Sequence, residues 1–324
     1  MQWTAVLSVL ACLASCDGLC TPLRLLTLDL DDTLFPCGQV VQRANAALAL
    51  ALNQCKAEPS LKIEAPAIQD VIREVRKAHS VAGGVPLAYT ELRKRAIAAI
   101  LDSPGPDVVD ACFDAWLDER QAAANELLFE GVVEALQYVR SSHPNCVVGA
   151  VTNGRGDPRG MQRLAPCFDF CVSGEDADVW PERKPSPAIY EHALRRALSC
   201  VASDGSDSTV DLQAMFKASW VHIGDCLVND VEASKAAGAT TVWFDPPAGT
   251  ADALATFSTA SPEEEARRNI ARREALEAGL VDERIDSMGA LPAALERLLA
   301  IDASGGRGGS VQYSKRKSQS GREK

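Results

Sequence analysis

Histidine is scarce in this chain, four in 324 residues, and none is placed to suggest a Ser-His-Asp triad or a zinc hydrolase. There are eleven cysteines, but none forms a C-x-x-C pair: Cys12, Cys16 and Cys20 crowd the first twenty residues, and Cys167 and Cys171 are four apart. Zinc-finger chemistry is therefore excluded, and the cysteines read as small apolar fillers. Cys226 lies beside an acid, which gives it a route to oxidation sensitivity, but buried inertness is the reading taken here. Net positive charge is absent too. At a formal charge of −11 the chain does not present a general nucleic-acid surface. It has no internal repeat, and its longest apolar stretch, Trp3 to Ala14, is too short for a membrane helix. What remains is 324 residues with 47% apolar content, enough for one α/β domain and a smaller insertion.

The chemistry sits at the ends of apolar runs. Leu25 to Leu28 read as a buried strand, and the chain then turns abruptly to Asp29, Leu30, Asp31, Asp32 and Thr33. Alternation places Asp29 and Asp31 on one side at the strand's carboxyl end, where open α/β sheets bind ligands. Taken alone, the run fits either an acidic turn or a pair of carboxylates relieved by a hard divalent cation, Mg²⁺ by default. Three later stretches favour the second. Cys146 to Ala150 is apolar and leads into Val151, Thr152, Asn153 and Gly154, a hydroxyl followed by backbone N–H groups suited to a phosphate. Lys184 precedes Pro185, Ser186 and Pro187, a helix start in which Ser186 can cap and Pro187 can open the first turn. Trp220 to Ile223 is strand-like and ends in Gly224, Asp225 and, five residues on, Asp230.

This ordered set, D-x-D-x-T, then a Ser/Thr, then a Lys, then G-D-x-x-x-[ND]-D, resembles the haloacid dehalogenase-like hydrolase superfamily over roughly Leu23 to Leu299. The resemblance implies a Rossmann-like parallel α/β core with an inserted all-helical cap. It also implies roles: Asp29 as nucleophile, Asp31 as general acid and base, and the Asp29 and Asp225 carboxylates with the Asp31 backbone carbonyl as Mg²⁺ ligands. Thr152, Asn153 and Lys184 would hold the phosphoryl oxygens, and Asp230 would be an outer metal-side carboxylate or would orient Lys184. Dehalogenases of this fold attack carbon and need no acid for the leaving group, so Asp31 points to phosphoryl transfer. P-type ATPases carry D-K-T-G-T and long apolar spans, which this chain lacks. The expected activity is a Mg²⁺-dependent phosphatase acting on a small phosphorylated metabolite, flavin mononucleotide or its ribityl precursor, phosphoglycolate, a sugar phosphate or a nucleotide among the compatible esters. The alternatives are a phosphomutase of the same fold and a non-catalytic phospho-ligand binder.

Residues 22–36 and 127–303 are assigned to the core and 37–126 to the cap. Helical spacing is visible at Val40 to Leu52, Ala67 to Ala78, Tyr89 to Leu101 and Val108 to Ala124, with breaks at Pro59, at Gly83 and Gly84, and at Pro104, Gly105 and Pro106. Such a cap would close over the site and read the substrate. Arg93 is the cap residue assigned to substrate binding, with Lys94, Arg95, His79 and Tyr89 as further polar positions; Arg93 and Arg95 also fit a solvated helix face. Ser203 to Thr209 read as a polar loop, Val231 to Gly238 as a short helix with glycine at its end, and residues 246–280 as an exposed excursion. Residues 1–21 resemble a signal or targeting leader, although no Lys or Arg precedes its apolar part; entry to the secretory pathway or an organelle is expected, with the cytoplasm as the alternative. Residues 304–324, rich in Gly, Ser, Lys and Arg, are expected to be a disordered tail.

Overall fold

A computed structural model describes residues 22–55, 62–81, 87–201, 209–247 and 278–303, together with Ile270, Glu274 and Leu276. The leader at 1–21, the tail at 304–324, Pro59, Gly83, Gly84 and most of the 203–209 and 246–280 segments lie outside the described residues.

Among the described residues six strands form one parallel sheet in the order β3-β2-β1-β4-β5-β6. They are β1 (Leu25–Leu28), β2 (Val147–Thr152), β3 (Phe170–Ser173), β4 (Trp220–Gly224), β5 (Thr240–Phe244) and β6 (Glu283–Ile285). All five pairings are parallel, which needs both faces covered, and the central strands are accordingly buried throughout. Leu26 and Leu28 face one way, into a core completed by the helices Val132–Ser142 and Leu291–Ala303. Leu25 faces the other, against Tyr190, Ala193 and Ala197 of the helix Ala188–Val201.

Register decides where the polar groups fall. Leu28 stands opposite Ala150 on β2 and Ile223 on β4, and the Asp29 amide donates to the Ile223 carbonyl at 2.9 Å. The acids after β1 therefore emerge level with the ends of β2 and β4. The chain order reverses at β1, so its carboxyl end is the topological switch point where such sheets leave a crevice.

Four helices are inserted after β1: α1 (Cys37–Cys55), α2 (Ala65–Val81), α3 (Tyr89–Ile100) and α4 (Pro106–Glu126). They are the four expected from spacing, each longer than or equal to its periodic part to within a residue. Pro106 opens α4, where its missing N–H costs nothing. Their apolar faces meet in a separate core of Leu48, Leu52, Ile68, Leu92, Phe113 and Trp116 among others, so the insert buries its own hydrophobic surface. The chain enters and leaves it at one place, where the Phe129 amide donates to the Leu34 carbonyl at 2.9 Å. Among the described residues no helix is long and apolar enough to cross a membrane.

Two features differ from the expectation. The helix after Lys184 starts at Ala188, one residue beyond the predicted first turn, with the Ser186 hydroxyl accepting from the Ala188 amide at 3.3 Å. The helix expected from Val231 onward begins as a wide π-type turn over Leu227–Glu232 and becomes α-helical only at Ala233–Ala236, before Gly238 ends it at φ +102°.

Candidate active site

Three consecutive features of the turn after β1 separate the jobs of its three acids. Asp29 is buried beneath the crevice, while Asp31 pairs with Phe35 in a one-residue bridge and stays half-open. Asp32 takes a left-handed backbone, φ 62°, and turns its carboxylate to accept from the Cys37 amide at 2.8 Å. It thereby satisfies an orphan N–H at the start of α1, a capping role that the sequence reading did not give it. Burial pushes its carboxyl up to about 6, against the lowering effect of that amide.

Lys184 comes from the loop before the helix Ala188–Val201 and reaches the same point. Its ammonium donates to Asp29 Oδ1, to Asp230 Oδ1 at 2.7 Å and to the Val151 carbonyl at 2.9 Å. Three acceptors use all three of its protons. Burial works against this ammonium, but the Asp230 and Asp29 charges outweigh it and hold the pKa above the ordinary lysine value. The Asn153 side chain fixes the loop by donating to the Lys184 carbonyl at 3.0 Å.

Asp230 is fully engaged, since its other oxygen accepts from the Cys226 amide at 3.0 Å. Burial opposes its ionisation, yet Lys184 and then His222 bring it down to about 2. Of its two expected roles, this geometry favours orienting Lys184. Gly224 makes room for it: an added Cβ would lie 2.3 Å from the Asp230 carboxyl carbon, which explains the glycine in the G-D-x-x-x-N-D run. Behind Asp230 stands a buried polar chain. The Trp220 indole donates to Thr27 Oγ1 at 2.8 Å, Thr27 Oγ1 meets His222 Nδ1 at 2.8 Å, and His222 Nε2 lies 3.3 Å from the Tyr190 hydroxyl, which donates to the Asn229 carbonyl at 2.7 Å. Trp220 takes one lone pair of Thr27 Oγ1 and leaves its proton available to His222 Nδ1, an arrangement that suits a neutral ring. Burial lowers the His222 pKa in agreement. Neither His222 nor Tyr190 was singled out in the sequence, because both look like ordinary strand and helix core residues.

Negative charge at this point exceeds what Lys184 neutralises. The carboxylate oxygens of Asp29, Asp225 and Asp230 lie within 4.8 Å of one another. Burial, with Asp230 and Asp29 behind it, pushes Asp225 well above the carboxylate range, and burial raises Asp29 to about 7 despite its contact with Lys184. An all-oxygen cluster short of counter-charge fits a hard divalent cation, with Asp29 and Asp225 as the carboxylates that have oxygens to offer. Thr33 bridges the pair: its hydroxyl donates to Asp29 Oδ2 at 3.4 Å and accepts from the Asp225 amide at 3.1 Å. That is the work of the threonine in D-x-D-x-T. Thr152 is buried at the end of β2, its hydroxyl accepting from the Gly154 amide at 3.3 Å.

The cap residues divide. Arg95 pairs with Glu91 on the solvated face expected of it, and Lys94 pairs with Asp110 of α4. His79 lies in the last turn of α2. Arg93 is not on that solvated face. Its guanidinium lies over the Trp116 ring at 3.5 Å, and it makes none of the hydrogen bonds of the Lys184 cluster. A cap residue that does reach the acids after β1 is Arg120, which was not singled out in the sequence: Nη2 donates to Asp31 Oδ1 at 2.7 Å. Its side chain is 4% exposed against 29% for Asp31. In sequence it is one of many charged residues on α4, and only the docking of cap on core distinguishes it. Burial pushes the Cys226 thiol up to about 11, in keeping with an inert residue.

A family model described as haloacid dehalogenase-like hydrolase matches residues 23–238. No curated protein matches the sequence. Among solved structures, the 2-haloacid dehalogenase from Pseudomonas syringae pv. Tomato DC3000 aligns with a TM-score of 0.53 at 22% identity, over 85% of this chain and 99% of that one. The putative HAD-hydrolase YfnB from Bacillus subtilis, bound to magnesium, aligns with a TM-score of 0.46 at 17% identity over 85% of this chain and 99% of its own. CbbY from Rhodobacter sphaeroides in complex with phosphate gives 0.46, 17%, 85% and 99% for the same quantities. At these identities the likeness is one of fold.

Proposed function

The chain belongs to the haloacid dehalogenase-like hydrolase family, and from that premise we propose that it is a Mg²⁺-dependent phosphatase of small phosphate monoesters. The observation that carries this reading is Asp31: a half-open carboxyl two residues beyond the buried Asp29, at the mouth of the crevice, where a leaving oxygen would need a proton. A carbon–halogen bond needs no such acid.

In this reading an Asp29 carboxylate oxygen attacks phosphorus, and the bond from phosphorus to the ester oxygen breaks. Asp31 gives its proton to the departing alkoxide. It then takes a proton from water, which attacks the aspartyl-phosphate and releases inorganic phosphate and free Asp29. Lys184, by turning one of its three protons from its present acceptors, the Thr152 hydroxyl and the Asn153 N–H hold the non-transferring oxygens as charge develops on them. Asp29, Asp225 and the Asp31 carbonyl would hold Mg²⁺, which supplies positive charge against the repulsion between an anionic nucleophile and an anionic ester. The surplus of buried carboxylate around Lys184 supports that assignment.

The test is a panel of phosphate monoesters with Mg²⁺, assayed for released phosphate, alongside 2-chloropropionate assayed for halide. Phosphate release is expected, with Asp29→Asn slower by at least about three orders of magnitude on every ester. Near-normal turnover by that variant, or halide release without phosphate release, would overturn the proposal.

A further inference from the structure

Arg120 stands between the two core loops that make the site. Nη2 is spent on Asp31, while Nη1 is buried with no hydrogen-bond partner among the described residues. Nη1 points at the loop after β2, since a Cβ added at Gly156 would fall 2.6 Å from it. One helical turn before Arg120 on the same face of α4 is Trp116, its indole pinned to Asn45 at 3.0 Å, and over that ring lies the Arg93 guanidinium. Arg93 Nε is likewise buried and unpartnered among the described residues. Two guanidiniums thus converge from α3 and α4, each with a donor unused. Burial, with the like charge of Arg120 behind it, pushes the Arg93 pKa down to about 9.

The nearby carboxylates do not answer this excess. Glu175 also faces Arg93, but it accepts from the Thr90 amide at 3.1 Å, from the Thr90 hydroxyl and from Arg155 Nε at 3.4 Å. Asp31 must be free to give up and take a proton if it is to act as the acid. Unpaired buried guanidinium donors are costly, and planar anions answer them with two parallel bonds.

We infer that the ester this site accepts carries a second anionic group, a carboxylate or phosphate, on its leaving alcohol, and that Arg120 and Arg93 bind it from the cap. This rests on the phosphatase reading above. Asp31 sits on the leaving-group side, so the second anion lies a few bonds from the ester oxygen and replaces Asp31 as the partner of Arg120. Binding the correct substrate would then free the acid for the reaction, while esters without that group would leave Arg120 on Asp31.

Two pairs of probes test this: 2-phosphoglycolate against ethyl phosphate, and 3-phosphoglycerate against glycerol 3-phosphate. The wild type should favour the anionic member of each pair by roughly tenfold to hundredfold in kcat/KM, the range for a charged, hydrogen-bonded partner. Arg120→Met should erase most of that preference, Arg120→Lys should restore part of it, and Arg93→Met should reduce it more weakly. No preference in the wild type, or an equal loss on all four esters in Arg120→Met, would overturn the inference; the second result would make Arg120 a positioning residue for Asp31. Calorimetric titration of the same probes into Asp29→Asn protein, with and without Arg120→Met, reads the preference without turnover. Preferential binding that depends on Arg120, with no hydrolysis by the wild type, would uphold the anion subsite and sink the phosphatase reading instead.

Discussion

Lys184→Met should unfold more easily, and by an amount that depends on pH. The wild-type ammonium is shared by Asp29, Asp230 and the Val151 carbonyl, all in the buried floor of the crevice. Removing one partner of a buried ion pair costs about 3–5 kcal/mol, because the charge left behind has neither solvent nor counter-ion. For a chain of this size that is a fall in Tm of roughly 5–10 °C. In the wild type Asp230 sits at about 2, below the unfolded carboxyl, so its contribution is present at neutral pH and is lost only in strong acid. Without Lys184 the largest opponent of burial is gone, the hydrogen bonds from Cys226 and His222 remaining, and Asp230 is expected to rise above its unfolded value of about 3.9. A carboxyl raised on folding binds more protons in the native state, so the variant gains stability as pH falls from 7.5 to 5, where the wild type draws nothing from this group. Asp29, at about 7 in the wild type and higher still once Lys184 is gone, adds to the variant's slope in the same sense. Urea unfolding in chelator should show the full cost at pH 7.5 and a cost smaller by about 1–2 kcal/mol at pH 5, near the value of one pKa unit per group. The same cost at both pH values, or none at either, would refute the argument that Lys184 is held by buried charge. If Lys184 also binds the shared phosphate, the variant should lose at least about a hundredfold in rate on every ester, with no ester spared.

Chelation should abolish phosphate release and Mg²⁺ restore it, with Ca²⁺ a poor substitute because its looser coordination misplaces the nucleophile. Mg²⁺ should also raise the Tm of the wild type, and Asp225→Asn should remove that rise; full activity in excess chelator would exclude the site. His222 is buried neutral, with its pKa lowered by burial. The unfolded chain protonates this ring below about pH 6.5 while the native one resists, so its presence costs stability as pH falls through that value, by up to about 1.4 kcal/mol per pH unit. His222→Gln should be destabilised at pH 7.5 by the lost hydrogen bonds and draw closer to the wild type by pH 5.5; a difference unchanged between the two would mean that His222 is not the group responsible.

The sheet's central strands, the four inserted helices and the residues at the strand ends are legible in the order of the amino acids. Each of these is local: Leu25 to Leu28 must be buried, the charges after them must not be, and the apolar period of 3.6 residues recurs four times before β2. The edge elements were less legible. β3 is four residues long, and the helix Val132–Ser142 carries no polar signature, so neither stood out from its surroundings. Which partner each of five acids takes is set by the fold. Asp29, Asp31, Asp32, Asp225 and Asp230 are alike as letters, but Lys184 holds Asp29 and Asp230, the Cys37 amide takes Asp32, and Arg120 takes Asp31. The partners come from 155, 46, 5 and 89 residues away, and no periodicity within the chain encodes such distances. The choice of Arg120 over Arg93 as the cap residue that meets the core follows from the same cause: helix spacing sets which face of α3 or α4 a side chain occupies, but only the docking of the insert on the sheet sets which face looks into the crevice.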